Sequence, residues 1–269
     1  MTTLQLASSV SMAFILGSVI GSFLNVCIYR IPAGESVVSP RSRCPHCQTT
    51  IRWYHNLPVL SWLLLRGRCA YCGARFSARY PLVEALTGTL FALFLFRFGF
   101  HPVTPVAWLL TAALVAISFI DLDHQIIPDV ISLPGIPVGF LCSLALPWVT
   151  WQSSLLGILL GGGILLAIAL GYERLTGQEG MGLGDVKLLA MLGAFLGAPA
   201  VLPIIFIASI MGTLVGIPLM LITRAGRKLA IPFGPFLAGA ALLYLFFVEK
   251  IDPLARWYGE ILVFWWRSL

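Results

Sequence analysis

Charged side chains are scarce in this sequence. Only 10% of its 269 residues are Asp, Glu, Lys or Arg, 59% are hydrophobic, and the mean hydropathy is +0.94. Soluble globular chains carry about 25% charged and about 45–50% apolar residues, so this composition excludes a wholly soluble globular chain and points to a multi-pass membrane protein. Histidine is scarcer still. None of the four, His46, His55, His101 and His124, belongs to a His-Glu-x-x-His motif, which leaves a zinc metalloprotease unsupported. There is no Gly-x-Ser-x-Gly elbow, and no histidine lies in an apolar run where it would activate a serine. The N-terminal stretch MTTLQLASSV lacks a basic region, and no small-residue cleavage site precedes the next charge. The first apolar run is therefore expected to stay as an anchor rather than leave as a signal peptide.

Apolar runs are plentiful. At about 20 residues per crossing, they predict helices near 5–28, 81–98, 102–120, 130–148, 154–172, 186–198, 200–223 and 231–249. The sixth has an uncertain end, because Gly197, Pro199 and Pro203 interrupt it. One hydrophilic stretch is long enough to be a domain, residues 30–79, with Arg30, Arg41, Arg43, Arg52, Arg66, Arg68, Arg75 and Arg79 against the single acid Glu35. Lys and Arg favour the cytoplasmic side of a membrane, so this loop is expected inside and the N-terminus outside. Alternation then places Asp121 to Asp129, Glu173 to Asp185, and the turn with Arg224, Arg227 and Lys228 inside. Of the 17 basic residues only Arg97, Lys250, Arg256 and Arg267 fall outside.

The expected fold is an all-α polytopic membrane protein of about eight transmembrane helices with a small cytoplasmic loop domain. Its expected divisions are a first transmembrane helix (1–29), the loop domain (30–79), a transmembrane core (80–250) and an interfacial tail (251–269) bearing Trp257, Tyr258, Trp265 and Trp266.

Four of the six cysteines sit in the loop as Cys44-Pro-His-Cys47 and Cys69-Ala-Tyr-Cys72. Doubled Cys-x-x-Cys pairs at this separation are the pattern of a zinc ribbon, in which four thiolates hold one tetrahedral Zn²⁺. Two disulfides are the alternative, disfavoured in a reducing cytoplasm. A full thiolate set makes the site closed and structural, and the metal is expected to supply folding energy that so short a loop lacks. His46 and His55 are then surface residues, and Cys27 and Cys142 small buried apolar groups.

Two aspartates stand where apolar runs meet short polar stretches, Asp121 in ISFIDLDHQIIPD and Asp185 in GMGLGDVKLLA. A carboxylate at a helix centre in the bilayer costs roughly 2.5–3.5 kcal/mol, so such residues point to function. At about 4 Å apart, two would repel by about 4 kcal/mol at an effective dielectric of 20. One proton would then be shared, leaving one group as general acid and the other as general base toward water. The glycines Gly180, Gly182 and Gly184 permit close backbone approach before Asp185. Taken alone, they also fit a phosphate-cradling loop or a plain loop ending in a helix cap. Asp123, Asp129, Glu173 and Glu179 share the expected face, with Glu84 near the start of the second run. Asp123 and Asp129 read as solvated or capping residues.

Taken together, FIDLDHQIIPD, EGMGLGDVKLLAMLGAFLG, the four cysteines, GSFLNVCIYRIP, NLPVLSWLLLRGRC and RYPLVE resemble the type IV prepilin peptidase family. The likeness spans nearly the whole chain. It implies a bifunctional enzyme of the bacterial inner membrane that cleaves prepilins or pseudopilins after a glycine at the cytoplasmic face. The new N-terminal amine is then methylated with S-adenosyl-L-methionine, in the service of type IV pili or type II secretion. It also implies that the catalytic pair is Asp121 and Asp185 and that zinc binds Cys44, Cys47, Cys69 and Cys72. The chain departs from the family pattern at His55, where an acid often precedes the Asn-Ile-Pro segment.

Prepilin precursors and the lipid bilayer are the expected partners, with no nucleic acid. Two other classes stay open on the residues themselves. One is a non-enzymatic assembly factor that docks through its zinc loop, with the aspartates as helix caps. The other is a metal-dependent intramembrane transferase with the acids as Mg²⁺ ligands.

Overall fold

A computed structural model describes residues 3–177, 182–223 and 231–251. Glu179 and Gly180, the turn with Arg224, Arg227 and Lys228, and the tail from residue 252 lie outside the described residues. In chain order the helices are α1 (Thr3–Arg30), α2 (Leu60–Leu64), α3 (Arg79–Phe98), α4 (Val103–His124), α5 (Asp129–Ser143), α6 (Trp151–Thr176), α7 (Leu183–Leu196), α8 (Ala198–Thr223) and α9 (Gly234–Phe246). Among the described residues there is no strand, only the isolated bridges Arg43 to Thr50 and Arg68 to Arg75.

Each apolar run of the sequence forms a helix, but the helices are not equally long. Five of them, α1, α3, α4, α6 and α8, are long and apolar enough to cross a membrane. With 15, 14 and 13 residues, α5, α7 and α9 are shorter. At 1.5 Å per residue they reach about 20–23 Å, against a hydrocarbon core of about 30 Å. Local chemistry sets the uncertain boundary of α7. Gly197 takes φ +80 and donates its amide to the Gly193 carbonyl, a conformation that suits glycine, and α8 starts at the next residue. Pro199 then falls in the first turn of α8, where no amide is needed.

The chain forms two compact units, Met1–Ala116 and Ile117–Leu269. In the first, α1 packs on α3 at backbone distance: a Cβ on Gly17 would lie 2.8 Å from Gly88 Cα, and one on Gly21 would lie 2.8 Å from Glu84 Cα. Small residues allow such close approach between apolar helices. Trp108 stacks on Phe91 with centroids 5.0 Å apart, and its ring nitrogen donates to the Phe91 carbonyl at 2.9 Å.

In the second unit α7 is the enclosed element. Every residue from Leu188 to Leu196 is buried, as a helix apolar on all sides requires. It packs against α5 and α6. At Gly157 and Gly193 the two backbones touch, each occupying the place where the other's Cβ would go. Ser154 fixes the same contact by donating to the Ala194 carbonyl at 2.6 Å.

Candidate active site and candidate metal centre

Helix α4 runs three residues past Asp121, so Asp121 and Asp123 both lie on it. Two residues of helix turn them to different faces. Asp121 is 5% exposed, whereas Asp123 is exposed. The Asp121 Oδ2 accepts a hydrogen bond from the Gly234 backbone amide at 2.9 Å. That amide is one of the first-turn donors of α9, which have no partner inside their own helix. A Cβ on Gly234 would stand 2.6 Å from the same oxygen, so only glycine allows the approach.

Ile127, in the turn between α4 and α5, joins this contact to the start of α7. It would meet a Cβ on Gly184 at 2.9 Å and one on Gly234 at 3.4 Å. Asp185, the next residue, is half-buried in the first turn of α7 and within electrostatic reach of Asp121. Its Oδ1 is enclosed and has no hydrogen-bond partner among the described residues. The two aspartates predicted from sequence therefore gather in one unit, and Gly234 and Ile127 join them.

Sequence reading missed both of these additions. Gly234 acts through its main chain, and its one visible sign is the Pro-Phe-Gly-Pro helix start. Ile127 reads as an ordinary apolar residue.

The other acids part ways. Asp129 opens α5 and accepts two hydrogen bonds from Lys187 Nζ, at 2.7 and 2.9 Å, tying α5 to α7. Glu173 is exposed at the end of α6. Glu84, in the first unit, is 8% exposed and accepts the Val59 amide at 2.7 Å. Val59 is a β-branched residue at φ +61, and the amide of Leu60 bonds back to the Pro58 carbonyl. This is a strained γ-turn, and Glu84 holds its centre.

In the loop the two Cys-x-x-Cys segments fold alike. Gln48 donates to the Cys44 carbonyl and Gly73 to the Cys69 carbonyl, and both donors have positive φ, +56 and +72. The Cys44 amide donates to Thr49 and the Cys69 amide to Ala74, so the knuckles repeat each other bond for bond. All four sulfurs lie within 4.8 Å of one another, with Cys44 and Cys72 at 3.8 Å. A tetrahedron of ligands about 2.3 Å from its centre has edges of about 3.8 Å, so this donor set fits one Zn²⁺. Hydrogen bonds from Thr49 push the Cys47 thiol down to about 6, toward the thiolate a metal needs. As expected, His46 is exposed. His55 departs from the surface placement: it is half-buried, with ring centroids 4.5 Å from Tyr54 and 5.8 Å from Tyr71.

A many-helix membrane chain with two carboxyls gathered at helix ends, one enclosed and one held by a main-chain amide, has the parts of an intramembrane acid–base catalyst. Comparison with known proteins gives the particular family. Residues 15–98 match the bacterial peptidase A24 N-terminal domain, and residues 108–217 match the type IV leader peptidase family. Three relatives bear the name prepilin leader peptidase/N-methyltransferase. That of Aeromonas hydrophila is 39% identical over 272 residues, 92% of this chain and 93% of its own. That of Neisseria gonorrhoeae is 36% identical over 274 residues, 93% of this chain and 94% of its own. That of Myxococcus xanthus is 44% identical over 216 residues, 80% of this chain and 64% of its own. The chain belongs to the type IV leader peptidase family. No solved structure matches it.

Proposed function

We infer that this chain cleaves the leader from type IV prepilins and N-methylates the residue so exposed. Family membership and the relatives' names support both activities. The observation that carries the peptidase half is the gathering of Asp121 and Asp185 with the Gly234 amide. Two carboxyls that repel one another in a shared site keep one proton between them. The ionised member takes a proton from water, the protonated member polarises the scissile carbonyl, and the two exchange roles as the amine leaves.

No third acid joins Asp121 and Asp185 at metal distance among the described residues, so a metal-transferase reading would rest on those two alone. Among the described residues, the four cysteines are the group of three or more His, Cys, Asp or Glu side chains that gathers at metal distance. Asp129, which opens α5, is engaged by Lys187.

All eight apolar helices lie within the bacterial inner membrane, and residues 30–79 face the cytoplasm with Zn²⁺ on Cys44, Cys47, Cys69 and Cys72. Cleavage follows a glycine at that face, and pseudopilins are substrates as well as prepilins. The methyl donor is S-adenosyl-L-methionine, which supplies an electrophilic methyl group. The chain lacks a Gly-x-Gly-x-x-Gly turn after a strand, so a pocket of another kind holds it.

Purified protein incubated with a pilin-like precursor tests the whole reading by mass spectrometry. The expected result is loss of the leader mass, then gain of one methyl on the new N-terminus. An uncut precursor, with a known active homologue cutting it in parallel, would contradict it.

A further inference from the structure

We propose that the Gly234 amide fixes the division of labour between the two aspartates, making Asp121 the base and Asp185 the acid. The inference rests on the aspartate-pair reading above and goes beyond it. Asp121 is deeply buried, and its Oδ2 accepts a main-chain hydrogen bond at 2.9 Å. A donor that cannot accept favours the ionised form of the carboxyl it touches. Asp185 Oδ1 is enclosed without a partner among the described residues. A carboxyl oxygen in that condition favours the protonated form, which needs less solvation and has a hydrogen to offer.

Neighbouring charges leave this asymmetry in place. Asp129 and Lys187 offset one another across α5 and α7. On α4, Asp123 and His124 are exposed, and at the end of α6, Glu173 and Arg174 are exposed. Helix α9 carries no acidic or basic side chain between Gly234 and Phe246. The first turn of α7 does favour negative charge on Asp185. However, none of its amides bonds the enclosed oxygen, whereas Asp121 holds a direct bond from α9.

The chemistry then runs one way. Asp121 removes a proton from water while the water oxygen bonds to the scissile carbonyl carbon. Asp185 gives its proton to the carbonyl oxygen, producing a neutral gem-diol. Asp121 next passes its proton to the amide nitrogen, Asp185 recovers one from a gem-diol hydroxyl, and the carbon–nitrogen bond breaks. Carboxyl and amine products leave the pair in its starting protonation state.

The test is the pH dependence of kcat for prepilin cleavage in Gly234→Ala, whose Cβ would stand 2.6 Å from Asp121 Oδ2, and in a variant whose Gly234 amide is replaced by an ester. The ester removes the donor without adding a side chain, so it decides the matter if the alanine protein does not fold. Loss of the donor is expected to lower kcat about 100-fold. It should also move the acid limb of the profile up by about one pH unit while KM stays within about threefold. A merely structural role for Gly234 would lower activity at every pH alike. An unmoved acid limb in a protein that elutes and melts like wild type overturns the assignment, and so does movement of the alkaline limb alone. Failure of the pair itself is seen separately, as retained cleavage in Asp121→Asn.

Discussion

At Asp121 the cost of burial and the group that offsets it can be weighed. A carboxylate in the bilayer costs roughly 2.5–3.5 kcal/mol at a helix centre. A hydrogen bond to a charged group returns about 1.5–3 kcal/mol. The Gly234 amide therefore comes close to balancing the ionised side chain. Asp123, two residues on, is exposed. Asp185→Glu is expected not to rescue what Asp185→Asn loses, because one methylene displaces the carboxyl beyond the tolerance of about 0.5 Å of a preorganised site. Cleavage by the Glu variant within tenfold of wild type would show that the site is looser than described. In the loop, Cys69→Ser is expected to lose the metal and the local fold together. Full zinc content by atomic emission would contradict that. Gly73 has φ +72 and nothing within 4 Å of its missing Cβ, so Gly73→Ala tests conformation alone. It should cost about 1–2 kcal/mol, read as weaker zinc retention against a chelator. The aspartates and cysteines were legible because an acid in an apolar run and a doubled Cys-x-x-Cys are rare. The Gly234 donor was not, because a main-chain amide has no letter in the sequence.

Among the elements, α6 and α7 decide where Asp185 stands. Their backbones meet at Gly157 and Gly193, and the Leu189 carbonyl occupies the place of a Cβ on Gly161. A bulky residue at any of the three would push α7 and the aspartate at its start away from Asp121. Gly193→Leu is expected to destabilise the protein by about 1–3 kcal/mol and to lose cleavage in parallel. Gly163→Leu, where nothing lies within 4 Å, should melt within about 0.5 kcal/mol of wild type. Thermal unfolding in detergent with a cleavage assay on the same samples checks both, and equal effects at the two glycines would contradict the packing described. Apolar periodicity located every one of these helices, since a run of Leu, Ile, Val and Gly between charges is unambiguous. It did not measure them. Gly197 ends α7, Gly234 opens α9 three residues into its apolar run, and α5 stops at Ser143 although its run continues to 148, all without a change in mean hydropathy.

For the whole molecule, the sequence foretold a membrane chain with one basic loop, and the structure divides it into two compact units. We expect the residues of methyl transfer to lie apart from the aspartate pair, so the two activities should separate. Methyl transfer onto a precut peptide is expected to persist in Asp121→Asn, and its loss there would tie both reactions to one site. The exposed Glu173 bears on how the substrate arrives. Leaders of this family are expected to be basic, so Glu173→Lys should raise KM severalfold at low salt and little at high salt; an unchanged KM at low salt would remove the residue from recognition. We propose that Asp121 and Asp185 together perform the hydrolysis. Prepilin cleavage should be measured for wild type, Asp121→Asn and Asp185→Asn, each with and without a chelator of hard divalent cations that leaves the thiolate-bound zinc in place. Wild type should cut equally well in both conditions, and neither variant should cut in either. Substantial cleavage by Asp121→Asn, or loss of wild-type cleavage on chelation, would contradict it.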